Sequence, residues 1–361
     1  MNSDLLSQAE QMASGGHLTD AEVIFAKAVE GSNDPSAFRR FGDFLCDTGR
    51  MAQAEKMYDR ALQMAKAADA QADSLRSLGI LFYRRGELDR AIGHVTRARA
   101  IDESLGRTAS LAEDLRALGN IHLDRGELHQ AEEMFSRAKE MHTEAGDRKG
   151  LAKDLSALGL IYRRRQQYDL AEDAHRTALK INQAHKWRDA AANDLLHLGL
   201  VEEDRGNVAA AERLYLQARD VYNELGLREG IAAAQGNIGL VRLSQNNLEG
   251  AEESLRLALQ INEELGNQIG IAEAYSGLAK VHQKSGRLDE AVRTQRRSLE
   301  INERLQRLVD MANDYVSLGT IYKERGDASL ARSLWETALG LFDRAGLAGR
   351  TEQLRGMLDT L

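Results

Sequence analysis

Three arginines at matching positions of a repeated sequence pattern are the residues that most readily suggest a chemical role. They are Arg39, Arg76 and Arg116. Like charges brought to adjacent positions repel one another, and a bound anion would relieve that repulsion. Asp73 and Glu113 each precede an arginine by three residues, which also permits an ion pair within one helix. Two interpretations stay open, namely recognition of an acidic peptide and pairing with the chain's own carboxylates.

A second group of side chains is apolar and is predicted to lie on the same helix face. It consists of Leu160, Leu196, Leu200, Leu240 and Leu243, with Arg163 beside them. If this face is open, the leucines form an exposed apolar patch, which commonly marks an interaction site. The alternative is that other helices or the chain's own termini cover them.

Amide side chains and one glycine complete the predicted binding surface. Asn120, Asn193 and Asn237 are expected to hold the backbone of a bound segment. Gly236 lies at the centre of the leucine patch and would leave a hollow for an anchoring side chain, the kind of contact that dominates interface energy.

Motifs for catalysis or metal binding are absent from the sequence. We find no glycine-rich phosphate loop, no dinucleotide fingerprint, no H-E-x-x-H and no G-x-S-x-G. The nine histidines are scattered, so we expect them to be core or surface residues. The prediction is no catalytic residue, no metal site and no cofactor.

The elements that position these residues belong to a unit that recurs along nearly the whole chain. Glycines recur at steps of 40 residues, or 80 where Ala279 intervenes, at Gly79, Gly119, Gly159, Gly199, Gly239 and Gly319. Alanines follow the same step. Small residues at these positions let two helices approach closely, and apolar residues at helical spacing predict two helices in each unit.

Glycines also mark the turns, because a residue just past a helix end readily adopts the left-handed conformation. Gln166 and Asn246 replace glycine in the turn within a unit. Lys186 and Gln306 replace it between units, and there we expect a helical or differently angled junction. Near the start, Asp34 is predicted to cap a helix whose first turn contains a proline.

The stretch from Tyr315 to Ala338 carries the pattern W-x₂-L-G-x₂-Y…A-x₃-F typical of the tetratricopeptide repeat. Its matching residues are Tyr315, Leu318, Gly319, Tyr322, Gly326, Ala331, Trp335 and Ala338. The chain therefore resembles the tetratricopeptide repeat superfamily, and its 40-residue period resembles the long-repeat branch typified by kinesin light chain and Partner-of-Inscuteable scaffolds. The resemblance implies an all-α, right-handed superhelical solenoid whose first helices line a concave, peptide-binding face.

The predicted organisation is one solenoid domain over residues 1–361 with about nine repeats. Shorter-period repeats occupy 1–69, 40-residue repeats occupy 70–346, and a capping helix occupies 347–361. A cap is expected because the last repeat would otherwise leave its apolar face in water.

Composition agrees with a helical array and argues against several functions. Charged residues make up 29%, aromatic residues 5%, and there is one proline. The formal charge of −8 argues against a nucleic-acid partner. A single cysteine, no recognisable signal peptide and no long apolar stretch favour a cytoplasmic protein without a membrane partner.

Several charged residues recur without a clear role. Asp114, Asp154, Asp194 and Asp314 suggest no more than a polar helix face. A column that alternates in sign from Asp47 through Arg84 predicts a ladder of exposed ion pairs. Glu202 and Arg242 occupy an aromatic column, and we expect an ion pair between them.

These patterns predict a non-enzymatic scaffold or adaptor. Its partner would be an extended or helical segment of another protein, with acidic and apolar residues. One alternative is self-association into a structural scaffold. The other is a regulatory module that senses a peptide or a small ligand, although such regulators usually carry an output domain and the repeats leave no room for one.

Overall fold

The computed structural model describes residues 2–359, which form tandem pairs of α-helices without a β-strand in that range. The predicted all-α class of tandem helix pairs is confirmed. Residues 360 and 361, the end of the predicted capping segment 347–361, lie outside the described range, as does residue 1. No helix within residues 2–359 is long and apolar enough to cross a bilayer.

By its internal contacts the chain divides into two compact units, Met1–Ile181 and Asn182–Leu361. Both consist of the same kind of helix pair, and the prediction of a single domain over residues 1–361 stays a prediction. The first unit contains α1 (Asn2–Ser14), α2 (Leu18–Val29), α3 (Pro35–Asp47), α4 (Met51–Met64), α5 (Ala68–Arg84), α6 (Leu88–Ser104), α7 (Thr108–Asp124), α8 (Leu128–Ala145), α9 (Arg148–Arg164) and most of α10 (Tyr168–Ala184). The second contains the end of α10, α11 (Arg188–Asp204), α12 (Val208–Leu225), α13 (Arg228–Ser244), α14 (Leu248–Leu265), α15 (Gln268–Lys284), α16 (Leu288–Arg304), α17 (Leu308–Glu324), α18 (Ala328–Arg344) and α19 (Ala348–Asp359).

The glycine column explains how closely the two helices of a pair approach. A Cβ atom at Gly119 would lie 2.9 Å from the ring of Phe135, and one at Gly239 would lie 2.6 Å from Cγ of Leu255. Real Cβ atoms do not come so close to a neighbour, so a large side chain on the second helix occupies the place of the missing one. The predicted role of the small residues is thus confirmed.

The turns at Lys186 and Gln306 differ from the expectation. Both residues adopt the left-handed conformation, with φ of 59° and 55°. The next backbone N–H groups close the helix end in the usual way, as Trp187 N–H donates to the carbonyl of Asn182 at 2.9 Å. These hydrogen bonds offset the strain of a left-handed non-glycine residue, of about 1–2 kcal/mol. A helical junction is therefore ruled out at both positions, and a differently angled one stays a prediction.

The two predicted caps, one at the third helix and one at the last, are of different kinds. Asp34 caps α3, since its Oδ1 accepts the N–H of Ser36 at 2.9 Å, as predicted. At the other end, α19 buries Leu354 against a cluster that includes Trp335 and Phe342 of α18. This helix covers apolar surface that the last pair would otherwise expose.

Candidate functional site

Several junctions between consecutive repeats bury a polar pair. The second helix of one repeat contributes a donor, and the first helix of the next contributes an aspartate twelve residues further on. The pairs are His142–Asp154 at 2.6 Å, Asn182–Asp194 at 2.7 Å and Asn302–Asp314 at 2.7 Å. These aspartates are at most 3% exposed. The recurrent aspartates are therefore internal acceptors, a role that the sequence did not suggest.

The carboxylate of Asp314 accepts three hydrogen bonds. It accepts from Gln295 Nε2 at 2.6 Å and from Ser298 Oγ at 3.0 Å, besides Asn302. Burial raises the pKa of Asp314 to about 6, although these three hydrogen bonds act in the opposite direction. The site is a carboxylate held by neutral donors.

In the first unit, the equivalent junction has an aspartate on each of the two helices, and an arginine bridges them. Arg76 Nε donates to Asp114 Oδ1 at 2.6 Å, and its other nitrogens contact Asp102 and, at 3.1 Å, Asp73. Arg76 is 15% exposed, and both Asp102 and Asp114 are fully buried. Burial raises the pKa of Asp114 to about 7 against the opposing effect of Arg76. For Arg76, the structure therefore supports pairing with the chain's own carboxylates.

The other two arginines of the column are also paired. Arg39 lies 3.2 Å from Asp73, and Arg116 forms an ion pair with Glu113 one turn away on α7. Both within-helix pairs that the sequence allowed, Asp73–Arg76 and Glu113–Arg116, are present. Recognition of an acidic ligand by this column stays a prediction.

His142 lies at the centre of a small acidic cluster that the sequence analysis missed. Its Nε2 is 3.9 Å from Oε1 of Glu113 and 3.8 Å from Oδ2 of Asp147, and its Nδ1 contacts Asp154. Among residues 2–359, Glu113, His142 and Asp147 are the one group spaced closely enough to hold a metal ion. Arg116 already pairs with Glu113, and Nδ1 of His142 is hydrogen-bonded to Asp154 at 2.6 Å, so contacts within the chain account for the arrangement. Burial raises the pKa of Asp154 to about 6.

A cleft of about 200 Å³ opens in the first unit between α5 and α7, and we call it the α5–α7 cleft. It brings together three predicted residues, Arg76, Arg116 and Asn120. Ile80 and Arg84 line the same cleft, and Ile80 is exposed. The cleft thus combines an apolar side chain with cationic ones.

A second cleft, of about 220 Å³, opens between α13 and α15 in the second unit, and we call it the α13–α15 cleft. It brings together Gly236, Asn237 and Leu240, which the sequence analysis had placed on the binding face. The cleft also reaches Leu255, which is buried beneath it on α14. Its wall combines apolar side chains with polar and charged ones, namely Asn262, Glu229 and Glu273.

Two small residues create this second cleft. Ala274 occupies the position that holds Asp314 in a later repeat, and Gly236 occupies the position that holds Leu196 in an earlier one. A Cβ atom at Gly236 would have no neighbour within 4 Å. A small residue in place of a large one leaves a void unless the surroundings collapse. Here the helices that line the cleft keep the void open.

Asn262 lines the α13–α15 cleft and is 5% exposed. It corresponds to Asn302, but faces Ala274 where Asn302 bonds to Asp314. Its Oδ1 accepts from Asn267 Nδ2 at 3.0 Å. Within residues 2–359 its NH₂ group has no acceptor.

The leucine patch is smaller than predicted. Leu196 and Leu243 are buried, with 8% and 9% of their surface exposed. Leu243 packs with Leu278 and Val281 of α15, which explains its burial. The remaining leucines are half-buried, namely Leu160, Leu200 and Leu240. Leu240 borders both the α13–α15 cleft and a shallower groove that contains Leu243.

The remaining predicted residues have different surroundings. Asn193 is exposed, but its Oδ1 accepts the hydroxyl of Tyr222 at 2.7 Å. Burial raises the pKa of Tyr222 to about 12. Arg163 is half-buried on α9.

The predicted Glu202–Arg242 pair is wrong. Glu202 pairs with Arg205 at 3.3 Å, one residue past the end of α11, and Arg242 pairs with Glu212 of α12 at 2.9 Å. Each of the two side chains has its ion-pair partner on an adjacent turn or helix instead.

The alternating charge column is only partly a ladder of ion pairs. Arg84 pairs with Asp47 at 2.9 Å. Arg164 donates to the carbonyl of Leu123, and Lys284 likewise donates to a carbonyl at the end of the preceding first helix, each at 3.0 Å. These cations complement the partial negative charge of a helix C-terminus.

A family model for the tetratricopeptide repeat matches residues 34–104, 108–184, 189–264 and 270–344, and the chain belongs to this family. The predicted superfamily is thus confirmed, while the likeness to the kinesin light chain branch stays a resemblance. The sequence has no match among curated proteins.

Three solved structures illustrate the similarity of this chain in fold. The apo form of the quorum sensor NprR from B. thuringiensis is 12% identical, with a TM-score of 0.69 over 94% of this chain and 98% of that one. A Rap protein complexed with competence and sporulation factor is 12% identical, with a TM-score of 0.68 over 95% and 98%. Aspartyl phosphate phosphatase F from Bacillus subtilis is 14% identical, with a TM-score of 0.65 over 94% of each chain.

Proposed function

We propose that this chain is a non-enzymatic interaction scaffold that binds a segment of another protein at the α13–α15 cleft. The observation that carries the proposal is the hollow at Gly236. It forms part of a cleft of about 220 Å³ that the predicted residues Asn237 and Leu240 also line. A single side chain of a partner would enter this hollow, and such buried anchors supply most of the binding energy of an interface. Leu240 and Asn237 would contact the rest of the segment.

The α5–α7 cleft supports a second contact of different character. Arg84 and Arg116 lie around the exposed Ile80 in this cleft. A segment with an apolar residue next to an acidic one would fit there. Each arginine already has a carboxylate partner, so the ligand would compete with Asp47 and Glu113.

Neighbouring structures favour a peptide as the ligand. One Rap protein is complexed with competence and sporulation factor, and NprR is named a quorum sensor. Another neighbour is named an aspartyl phosphate phosphatase. We keep the proposal non-enzymatic because, within residues 2–359, neither cleft is lined by a serine, cysteine or histidine that would act as nucleophile or base.

The test fills the hollow without harming the fold. Gly236→Leu places at this position the residue that the array already carries as Leu196. Replacement of a helical glycine raises helix propensity by up to about 1 kcal/mol, so the variant should be at least as stable. We expect peptides selected from a displayed random library on the wild-type chain to lose most of their affinity for Gly236→Leu.

Gly340→Leu is the matched control, because Gly340 also lies within a helix and has no neighbour near its missing Cβ. It should bind the selected peptides as the wild type does. The double variant Leu200→Asp with Leu240→Asp should also lose binding while it keeps its helical spectrum. A library that yields no binder, or peptides that bind Gly236→Leu undiminished, would refute the proposal.

A further inference from the structure

We propose that the α13–α15 cleft recognises a side-chain carboxamide, from asparagine or glutamine, next to a basic residue in the partner segment. This inference rests on the proposed function and specifies its ligand. The cleft lacks an acceptor that related junctions possess, and the two carboxylates at its edge form no ion pair within 4.0 Å inside residues 2–359. Burial raises the pKa of one of them, Glu273, and Arg307 acts on it in the opposite direction from outside the cleft, where it pairs with Asp310 at 3.0 Å.

The missing acceptor follows from the comparison of equivalent positions. Asn182 and Asn302 each donate a side-chain N–H to a buried aspartate at 2.7 Å. Asn262 occupies the same position, but Ala274 provides no acceptor. The Nδ2 of Asn262 is open to water in the cleft, since it is not one of the fully buried atoms without a partner. A ligand that displaces this water must offer an acceptor in its place, because an unsatisfied buried donor costs about 1–3 kcal/mol.

Neighbouring hydrogen bonds fix the orientation of the Asn262 amide. The N–H of Gly270 donates to Asn267 Oδ1 at 3.2 Å, so the other end of the Asn267 amide is its NH₂ group. That NH₂ donates to Asn262 Oδ1 at 3.0 Å. The remaining group of Asn262 is therefore a donor, and the ligand must offer an oxygen.

The charge of the cleft decides which kind of oxygen fits. Glu229 and Glu273 both line it, and neither forms an ion pair within 4.0 Å with any residue of the described range 2–359. No lysine or arginine lines the cleft. Two carboxylates disfavour a third, so a neutral carbonyl suits the site better than a ligand carboxylate. The same two groups would attract a cation beside it.

The size and walls of the cleft fit this ligand. Ala258, Ala274 and Gly236 leave room, and Leu255 provides an apolar surface below. The methylene groups of glutamine would contact that surface, and its amide would bond to Asn262. Polar recognition inside a largely apolar pocket is the usual arrangement of a specific site.

The first experiment changes the ligand and leaves the protein intact. Peptides from the random displayed library should be enriched in glutamine or asparagine with lysine or arginine nearby. In a selected peptide, replacement of the carboxamide residue by leucine or glutamate should weaken binding about 10–100-fold, the factor that corresponds to one unpaired buried group. Equal binding of these replacements would overturn the inference.

The second experiment supplies the acceptor from the chain itself. Ala274→Asp should form with Asn262 the pair that Asn302 forms with Asp314, and should abolish binding of the selected peptides. The double variant Glu229→Gln with Glu273→Gln should bind them more weakly and with less dependence on salt, because the edge carboxylates are removed. Undiminished binding to Ala274→Asp with a native helical spectrum would also overturn the inference.

The two proposals fail in different ways. One outcome is that selected peptides lose their binding to Gly236→Leu and yet contain neither a carboxamide nor a basic residue. That result would refute this inference and leave the scaffold function in place. If no selected peptide binds Gly236→Leu more weakly than the wild type, the proposed function is refuted, and this inference with it.

Discussion

Two junctions of the second unit differ at one buried position and consequently in what they can do. Between α16 and α17, Asn302 bonds to Asp314, and Gln295 and Ser298 complete the set of donors. Between α14 and α15, Asn262 faces Ala274, and a cleft opens there. The first junction uses its polar groups for cohesion. The second leaves a donor and a cavity available to a side chain of a bound partner.

The comparison teaches that a repeat array tolerates the loss of one internal contact. Stability in such arrays is close to a sum over repeats and their interfaces, so a single junction can be weakened while its neighbours hold the fold. A binding site can then arise by omission of an internal side chain. The first unit shows the opposite case, since Arg76 bridges Asp102 and Asp114 and adds charge to the same position.

The largest expected effect concerns that charged junction. Arg76→Met would leave Asp114 buried without its cation, while Asp102 would keep Arg107 at 3.2 Å. We expect a loss of about 3–5 kcal/mol in the free energy of unfolding, measured by urea denaturation followed by circular dichroism. Arg84→Met, at an exposed ion pair, should cost less than about 1 kcal/mol. Similar losses for the two variants would contradict this account of the junction.

Asp314→Ala tests the cohesive junction directly. It would convert the Asp314 position into that of Ala274 and leave three donors without an acceptor. We expect a destabilisation of about 2–3 kcal/mol in the same assay. A loss below about 0.5 kcal/mol would mean that the two junctions are energetically alike, and the comparison would fail.

The pH dependence of stability gives a third contrast. The pKa of Asp314 is raised to about 6 from an ordinary 3.8, so the folded state holds this proton more tightly than the unfolded chain. The stabilisation is fully present below about pH 4 and is lost as the pH rises through about 6. Asp314→Asn removes this titration. Its stability relative to the wild type should rise between pH 4 and pH 7, on the order of 1 kcal/mol, in urea denaturation at each pH. A constant difference would show that Asp314 ionises normally.

The turns of the two junctions provide the smallest contrast. Gly266 precedes α15 with a φ of 68°, whereas Gln306 precedes α17 with a φ of 55°. Gln306→Gly removes the strain of the left-handed conformation and should stabilise the chain by about 0.5–1 kcal/mol. Thermal unfolding is the measurement, with Lys186→Gly as a second instance. Destabilisation by both changes would show that these side chains make contacts worth more than the strain.

The repeat pattern predicted the fold well because it reflects local and regular requirements. The glycine opposite a large side chain, as at Gly119 and Phe135, recurs with the period of the structure, and the family match follows the same period. The hollow at Gly236 was predicted on the same basis, as the absence of a side chain in a column. At Gln306 a helical junction was expected as one alternative and is absent, because hydrogen bonds at the helix end outweigh the preference for glycine.

Side-chain partners were predicted poorly. Leu196 and Leu243 were expected to be exposed but are buried. Glu202 and Arg242 were expected to pair with each other, but each forms an ion pair with a different residue. Long charged side chains reach several neighbours of similar energy, and the sequence does not rank them. The role of the aspartate column was missed because its donors come from the preceding repeat, twelve residues away.

By itself, the amino-acid sequence determined that this protein is a tandem array of helix pairs and where each pair begins and ends, since helix formation and close packing depend on residue type and spacing. Only the tertiary structure decided which polar groups satisfy one another and which junction stays open. That outcome depends on which side chains meet across helices that are adjacent in space, as Asn302 meets Asp314 and Asn262 meets Ala274.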